Sequence, residues 1–332
     1  MHLQERIQLL VELGKYMKSN ESKWQQAKER ASLENAWFIP EFIHLAAENI
    51  SSNWLQEIKL RQWIDPYGFS IENPEPKNIG LIMAGNIPLV GFHDFMSVFI
   101  SGHKQIMKPS SKDQALIRQL VEHLIGIDRR VREWVQFADM LRGCDAYIAT
   151  GSNNSSRYFN YYFSKYPNII RSNRTSVAVL NGNEPIEELI KLADDVHLYF
   201  GLGCRNVTKI YVPREYDFLP LLDAFKKFSW FADHNKYKNN YDYQLTLLIL
   251  NKKYYMTNGS ILLAENRSAF SPISLLHYEY YSDAPRVSEK AGETGEMQCC
   301  VGAGFLPFGK TQTPGLEDFA DGVDTLKFLH GL

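Results

Sequence analysis

The sequence has little of what identifies several protein classes. Its 332 residues contain only four cysteines, Cys144, Cys204, Cys299 and Cys300, which are too few for a disulfide scaffold of this size and lack the spacing of a zinc site. No apolar run approaches the roughly 20 residues of a membrane span. The start, MHLQERIQLL, lacks the basic-then-apolar layout of a secretion signal. The sequence therefore predicts free thiols, no membrane span and a cytoplasmic protein.

Neither sign of charge dominates the chain. The 36 Lys and Arg residues are balanced by 38 Asp and Glu residues, which gives a net charge of −2. Binding to a phosphate backbone requires a basic field, so nucleic acid is not a predicted partner. A hydrophobic content of 45%, with 13% aromatic residues, indicates globular cores, and the length suits about two domains.

The order of sequence patterns predicts an α/β fold. Residues 1–64 have apolar positions at helical spacing, and Pro40 is placed to open a helix. The segment DPYGFSIENPEP then breaks regular structure. From Asn78, short apolar runs alternate with amphipathic helices, which is typical of βαβ units around a parallel sheet.

A second cycle begins after Thr175 with the strand SVAVLNG, a helix over 184–199 and the strand KIYVP. The runs LTLLIL and ISLLHYEYY are predicted to be later strands, and a Gly/Pro-rich tail follows from 302. The predicted divisions are a helical segment 1–64 packed on a parallel-sheet domain 65–175, a second α/β domain 176–312, and a tail 313–332.

Polar turns follow three predicted strands of the first sheet. AGNIP carries Asn86, whose amide suits a developing oxyanion, and Pro88, which is predicted to start the next helix. Capping or turn formation explains Asn86 equally well. Because ligands bind at the carboxyl ends of parallel strands, these three turns are expected to line one crevice.

The other two turns suit a nucleotide. KPSS presents Lys108, Ser110 and Ser111, whose ammonium and hydroxyl groups match a ribose or phosphate. TGSNNSS opens a helix at Gly151 and Ser152, where free N–H groups and the positive helix end favour a pyrophosphate. Helix capping alone selects the same residue types.

The turn GLGCRN places Cys204 after two glycines, between a predicted helix and a strand. Such a turn brings the backbone close to a substrate carbonyl and exposes a thiol, and the neighbouring Arg205 and Lys209 favour its thiolate. The alternative is a buried cysteine that acts as a small hydrophobe. A dinucleotide fingerprint is rejected, because Asn206 replaces its third glycine and the turn follows a helix.

The remaining cysteines and His197 are predicted to be structural, and no residue spacing indicates a metal site. The acidic segment LEDFADGVDT lacks the pattern of a calcium loop, and a capped turn explains it.

Taken in order, these motifs resemble the aldehyde dehydrogenase superfamily and, within it, the LuxC-type acyl-CoA reductases. The resemblance runs from about Asn78 to Leu332 and is strongest in AGNIPLVGFHD, KPSSKD, ATGSNNSSRYFNYYF, NRTSVAVL, GLGCRNVTK and PFGKTQTPGLEDFADGVDTLKFL. It implies an aldehyde dehydrogenase-like fold, in which a Rossmann-like nicotinamide-binding domain at 65–175 lacks GxGxxG and a catalytic domain at 176–312 carries the nucleophile.

The resemblance also implies residue roles. Cys204 is the nucleophile that accepts an acyl group as a thioester, and Asn86 acts with the backbone N–H of Cys204 on the oxyanion. Lys108 reaches the adenosine ribose, and Gly151 and Ser152 face the cofactor phosphates.

Two departures from the superfamily pattern are informative. The stretch NIIRSNRTS lacks the glutamate that activates water in enzymes that release free acid, which favours exchange with a thiol such as coenzyme A. Ser110 and Ser111 stand where an acidic residue often holds a ribose diol, which favours NADPH over NADH. Arg171 and Arg174, which lie in the stretch NIIRSNRTS, either contact carrier phosphates or form structural ion pairs.

The expected reaction is NADPH-dependent reduction of an acyl thioester to an aldehyde through an acyl-cysteine, with no metal. The alternatives are a cysteine acyltransferase or thioesterase without a redox cofactor, an oxidative aldehyde dehydrogenase, and a catalytically silent binding protein. The acyl carrier stays open among coenzyme A, an acyl carrier protein and a partner acyl-protein synthetase. The resemblance implies a homo-oligomer, a dimer or tetramer.

Overall fold

The computed structural model describes residues 1–281, 296–302 and 304–332. The chain forms two compact units. The first unit comprises Met1–Asn173 and Pro314–Leu332, and the second comprises Arg174–Thr313. Among the described residues, no helix combines the length and the apolar character that crossing a bilayer requires.

The first unit begins with helices, as the spacing predicted. Their apolar faces join one core, in which Trp24, Phe38 and Trp63 are almost completely buried. Pro40 opens the third helix, where its missing N–H costs nothing. The helices are α1 (Leu3–Lys18), α2 (Ser22–Glu34), α3 (Pro40–Asn53) and α4 (Glu57–Ile64).

A five-stranded parallel sheet follows, so the prediction of an α/β fold is confirmed. Its strand order is β3-β2-β1-β4-β5, and α-helices lie in the connections from β1 to β2, from β2 to β3 and from β4 to β5. The elements are β1 (Asn78–Ile82), α5 (Phe92–Ser101), β2 (Lys104–Lys108), α6 (Ala115–Ile127), β3 (Val135–Phe137), β4 (Ala146–Thr150), α7 (Asn153–Phe163) and β5 (Asn168–Arg171).

The second unit is built on a six-stranded sheet of order β11-β6-β7-β10-β9-β8, in which β8 and β9 pair antiparallel and the other neighbouring strands pair parallel. Residues 177–180 are fully buried, as expected for a strand covered on both faces. The elements are β6 (Thr175–Val179), α8 (Ile186–His197), β7 (Val207–Pro213), α9 (Leu219–Ala224), α10 (Asn235–Leu250), β8 (Met256–Thr257), β9 (Leu262–Glu265), β10 (Leu275–Tyr281) and β11 (Met297–Gly302).

The strand prediction for LTLLIL is wrong, because this run forms the last part of helix α10. A short apolar run is compatible with either element when its flanks are not considered. Here Tyr241, Leu245 and Leu248 lie at helical spacing and pack against Leu262 and Leu275. Contacts to the sheet therefore decided the conformation.

The C-terminal residues return to the first unit and form helix α11 (Thr325–His330), which packs on α5. Leu326 and Leu329 are buried there. His103 Nε2 lies 2.9 Å from the Leu329 carbonyl, and Trp54 Nε1 donates to the Pro314 carbonyl at 2.8 Å. In the acidic segment, Asp324 caps α11 by accepting from Lys327 N.

Candidate functional site

The carboxyl ends of β2, β1 and β4 lie side by side in the first unit. Ile82 of β1 is level with Lys108 of β2 and with Ala149 of β4. The strand order reverses between β1 and β4, and this reversal is where open α/β sheets bind ligands. The three polar turns found in the sequence therefore leave neighbouring strands at one edge of this sheet.

The AGNIP turn is pressed against the KPSS turn. A Cβ atom at Gly85 would lie 2.6 Å from the Cβ and Oγ atoms of Ser110, so only glycine fits there. Asn86 is exposed. The expectation that Pro88 starts the next helix is wrong, because Leu89 has a positive φ of 57° and α5 begins only at Phe92.

The residues of the KPSS turn differ in exposure. The side chains of Lys108 and Ser111 are exposed. The Ser110 hydroxyl is turned toward its own loop, where it accepts from Lys112 N at 3.2 Å. Ser111 and Lys108 are thus the groups most accessible to a ligand in this turn.

The turn after β4 leads directly into α7. The Ser152 hydroxyl caps that helix by accepting from Ser155 N at 3.3 Å. A Cβ atom at Gly151 would lie 2.8 Å from Phe159 Cε2 and from Ser155 Cβ, so glycine allows the strand and helix to pack closely. Ammonium, hydroxyl and helix N-terminal groups at one sheet edge fit a dinucleotide that carries phosphates and ribose hydroxyls.

In the second unit, Cys204 lies in a strained turn between α8 and β7. Tyr199, Phe200 and Gly201 all adopt left-handed conformations, with φ between 55° and 73°. Two consecutive non-glycine residues in this region cost about 1–3 kcal/mol each, and such strain is concentrated at functional sites. Cys204 itself is partly exposed.

Asn206 holds this turn together. It is completely buried, and its Oδ1 atom accepts from Gly203 N at 2.8 Å. Its Nδ2 atom lies within 3.3 Å of the carbonyls of Asp195, Val196 and Leu198 at the end of α8. The sequence predicts no such role for Asn206, because nothing local shows which carbonyls its amide will meet.

We expect Asn206→Ala to lower the free energy of unfolding by about 2 kcal/mol, because it leaves buried backbone N–H and C=O groups without hydrogen-bond partners. Cys204 alkylation by iodoacetamide should also change in rate, since the turn loses its support. The matched control is Asn239→Ala on the exposed surface of α10. Equal urea midpoints and alkylation rates in Asn206→Ala and the wild type would contradict the assigned role.

The carbonyl of Cys204 accepts from the Ser176 hydroxyl at 3.1 Å, and the same hydroxyl lies 3.0 Å from Cys299 Sγ. Lys209 Nζ is buried, 2.5 Å from Glu279 Oε2 and 2.7 Å from the Arg267 carbonyl. Its charge is therefore balanced by the carboxylate of Glu279.

Cys144 and His197 are buried, and Cys300 is partly buried. Burial raises the pKa of the Cys144 thiol, and it raises the pKa of Cys300 to about 12. None of the four cysteines forms a disulfide. His197 is buried and stacks on Phe228 at 4.8 Å, and Nδ1 lies 2.8 Å from the Ala193 carbonyl.

Burial lowers the pKa of His197 from 6.5 to about 4. Between about pH 6.5 and about pH 4, this histidine is protonated in the unfolded chain but stays neutral in the folded chain. The free energy of unfolding therefore falls as the pH falls through this range. We expect His197→Phe, which preserves the ring packing, to lose less stability than the wild type between about pH 7 and about pH 5. Urea unfolding at both pH values measures this, and parallel losses in the two proteins would refute it.

Arg171 is a structural residue and not an exposed phosphate ligand. Its side chain is 4% exposed, and its Nη1 atom lies 2.5 Å from Asp94 Oδ2. Its Nη2 atom donates to Thr325 Oγ1 at 2.9 Å. Arg174 Nη1 donates to the Met297 carbonyl in the second unit.

Solved structures of aldehyde dehydrogenases have the same fold. A putative aldehyde dehydrogenase from Burkholderia cenocepacia aligns over 91% of this chain and 74% of its own, with a TM-score of 0.68 and 12% identity. The aldehyde dehydrogenase from Bacillus cereus in its NAD+ complex aligns over 91% and 72%, with a TM-score of 0.64 and 14% identity. No curated protein matches the chain.

The sequence model of the family described as acyl-CoA reductase (LuxC) matches residues 46–218, which is more than half of the chain. This match includes the turns that carry Asn86, Lys108, Gly151 and Cys204. The chain therefore belongs to the LuxC family of acyl-CoA reductases and is an oxidoreductase that forms or processes aldehydes.

Proposed function

We propose that this protein reduces an acyl thioester to an aldehyde with NADPH, by way of an acyl group held on Cys204. The observation that carries the proposal is the strained turn at 199–206, which Asn206 anchors and on which the Cys204 thiol is partly exposed. A nucleophile needs such a fixed and accessible position, whereas a cysteine that only fills a core does not.

Side chains of the protein carry out the acyl transfer. The Cys204 thiolate attacks the carbonyl carbon of the thioester, a bond to Sγ forms, and the bond to the carrier sulfur breaks. The carrier leaves as a thiolate and takes up a proton from water. Asn86 is assigned as the donor that stabilises the negative charge that develops on the acyl oxygen. When the acyl carbon has been reduced, the tetrahedral adduct on Cys204 collapses, which frees the aldehyde and restores the thiolate.

The cofactor is assigned to the polar edge of the first sheet. When bound there, a reduced nicotinamide supplies the hydride that converts the acyl group to an aldehyde. Lys108 and Ser111 are exposed and suited to the adenosine ribose, and Gly151 and Ser152 at the start of α7 are suited to the phosphates. Neither Ser110 nor Ser111 brings a carboxylate that repels a 2′-phosphate, which supports NADPH.

Coenzyme A or another thiol carrier is assigned as the exchange partner. The stretch 168–176 contains no acidic residue to activate water. An acyl group on Cys204 is therefore expected to exchange with a thiol faster than it is hydrolysed. Arg171 does not recognise the carrier, since its guanidinium is buried against Asp94.

The test is to incubate the protein with NADPH and a medium-chain acyl-CoA while NADPH absorbance and released thiol are followed together. We expect equimolar NADPH oxidation and coenzyme A release, and slower oxidation of NADH. Release of coenzyme A without NADPH oxidation would identify a thioesterase or acyltransferase instead. Oxidation of added aldehyde to free acid, without a requirement for coenzyme A, would identify an oxidative dehydrogenase.

A further inference from the structure

Among the described residues of the first unit, one buried acidic side chain has no part in the proposed reaction. Asp113 is 7% exposed, and its Oδ2 atom accepts from Leu89 N at 2.7 Å. Its Oδ1 atom has no hydrogen-bond partner among the described residues, and burial raises the pKa of the carboxyl group to about 7. A buried, half-paired carboxyl group lowers stability, so its presence requires an explanation.

Helix capping is the ordinary role of an aspartate at this position, but it does not account for Asp113. Helix α6 begins at Ala115, and its N-cap residue is Gln114, with no side-chain cap hydrogen bond. The carboxyl group of Asp113 instead reaches a backbone N–H in the turn between β1 and α5. Asp113 therefore links two segments that are 24 residues apart in the sequence.

The N–H group that Asp113 holds belongs to a strained residue. Leu89 is 3% exposed and has a φ of 57°, a left-handed conformation that is strained for a non-glycine residue. It lies three residues after Asn86 in the same turn. The hydrogen bond to Asp113 offsets part of the strain, so the conformation of the Asn86 turn depends on this carboxyl group.

Asp113 is also part of the neighbouring KPSS turn. Its own N–H donates to the Ser110 carbonyl at 3.0 Å. A Cβ atom at Gly85 would lie 2.6 Å from Ser110 and 3.2 Å from Asp113 Cβ, so the two turns are in direct contact at this point. One residue thus joins the turn of the assigned oxyanion donor to the turn of the assigned cofactor ligands.

We propose that Asp113 is a positioning residue for the reductase, which fixes the turn that carries Asn86 against the turn that carries Ser110 and Ser111. This inference rests on the proposed function for its catalytic consequence. Its structural part, the hold on Leu89, rests only on the contacts described above.

The test compares Asp113→Ala with Asp113→Asn, and uses Asp242→Ala on the exposed surface of α10 as the control. Asparagine keeps an oxygen that accepts from Leu89 N, whereas alanine does not. Three quantities are measured: deuterium uptake at the Leu89 amide, the number of Cys204 thiols alkylated per chain, and the rate of coenzyme A release in a single turnover.

In Asp113→Ala we expect faster exchange at Leu89 and about a 10-fold slower release of coenzyme A per alkylatable Cys204, because a displaced donor stabilises the oxyanion less well. In Asp113→Asn both quantities should return to within about 3-fold of the wild type. A simple loss of folded protein lowers the amplitude of the single turnover but not its rate constant, so it does not produce this pattern.

Unchanged exchange at Leu89 in Asp113→Ala would overturn the inference, as would unchanged release rates or equal defects in both variants. A wild-type protein that releases no coenzyme A would instead overturn the proposed function. In that case the exchange at Leu89 still decides whether Asp113 holds the turn.

Discussion

Replacing Cys204 with alanine is expected to lower acyl-CoA-dependent NADPH oxidation by at least about 10³-fold, because the reaction then has no group on which to form a thioester. Coenzyme A release should disappear with it, since the nucleophile acts before the reduction. The fold should persist, because Cys204 is only partly buried and its carbonyl still accepts from Ser176.

The matched control is Cys144→Ala in the first unit. Burial raises the pKa of that thiol, so it stays protonated and is a poor nucleophile. We expect its activity to remain within about 2-fold of the wild type. Mass spectrometry of protein mixed with acyl-CoA alone should detect one acyl adduct in the control and none in Cys204→Ala. An adduct that persists in Cys204→Ala would assign the nucleophile to another residue.

Replacing Asp94 with alanine is expected to lower the free energy of unfolding by about 3–5 kcal/mol, because it leaves the guanidinium of Arg171 buried without its carboxylate. The two side chains are 4% and 13% exposed, and their charged atoms are 2.5 Å apart. The hydrogen bond from Arg171 to Thr325 connects this pair to helix α11, so the C-terminal segment should loosen as well.

The double variant Asp94→Leu/Arg171→Met should recover most of that loss, because an apolar pair has no charge to desolvate. Asp242→Ala, which breaks the exposed Lys238–Asp242 pair, should cost only about 0–1 kcal/mol. Urea unfolding of the four proteins measures these differences. If Asp94→Ala lowers the free energy of unfolding by less than about 1 kcal/mol, the Asp94–Arg171 pair contributes little to stability.

Much of the fold could be predicted from the sequence because its signals are local. Helical spacing in 1–64 and the alternation of apolar runs with amphipathic helices after Asn78 depend only on neighbouring residues, and the structure contains both patterns. The fold class and the family follow from the same local motifs, with AGNIP, KPSS and GLGCRN in order along the chain. Local patterns were insufficient for LTLLIL, whose helix is selected by contacts with β9 and β10.

For the candidate site, the residue types alone indicate which side chains carry reactive groups, because chemistry is a property of the residue type. How those groups are supported depends on contacts between segments that are distant in the chain. The amide of Asn206 meets carbonyls at the end of α8, Asp113 meets Leu89 across 24 residues, and Arg171 is paired with Asp94. Hydrogen bonds and ion pairs between distant residues leave no periodicity or spacing in the chain, so they become visible only when the segments have packed together.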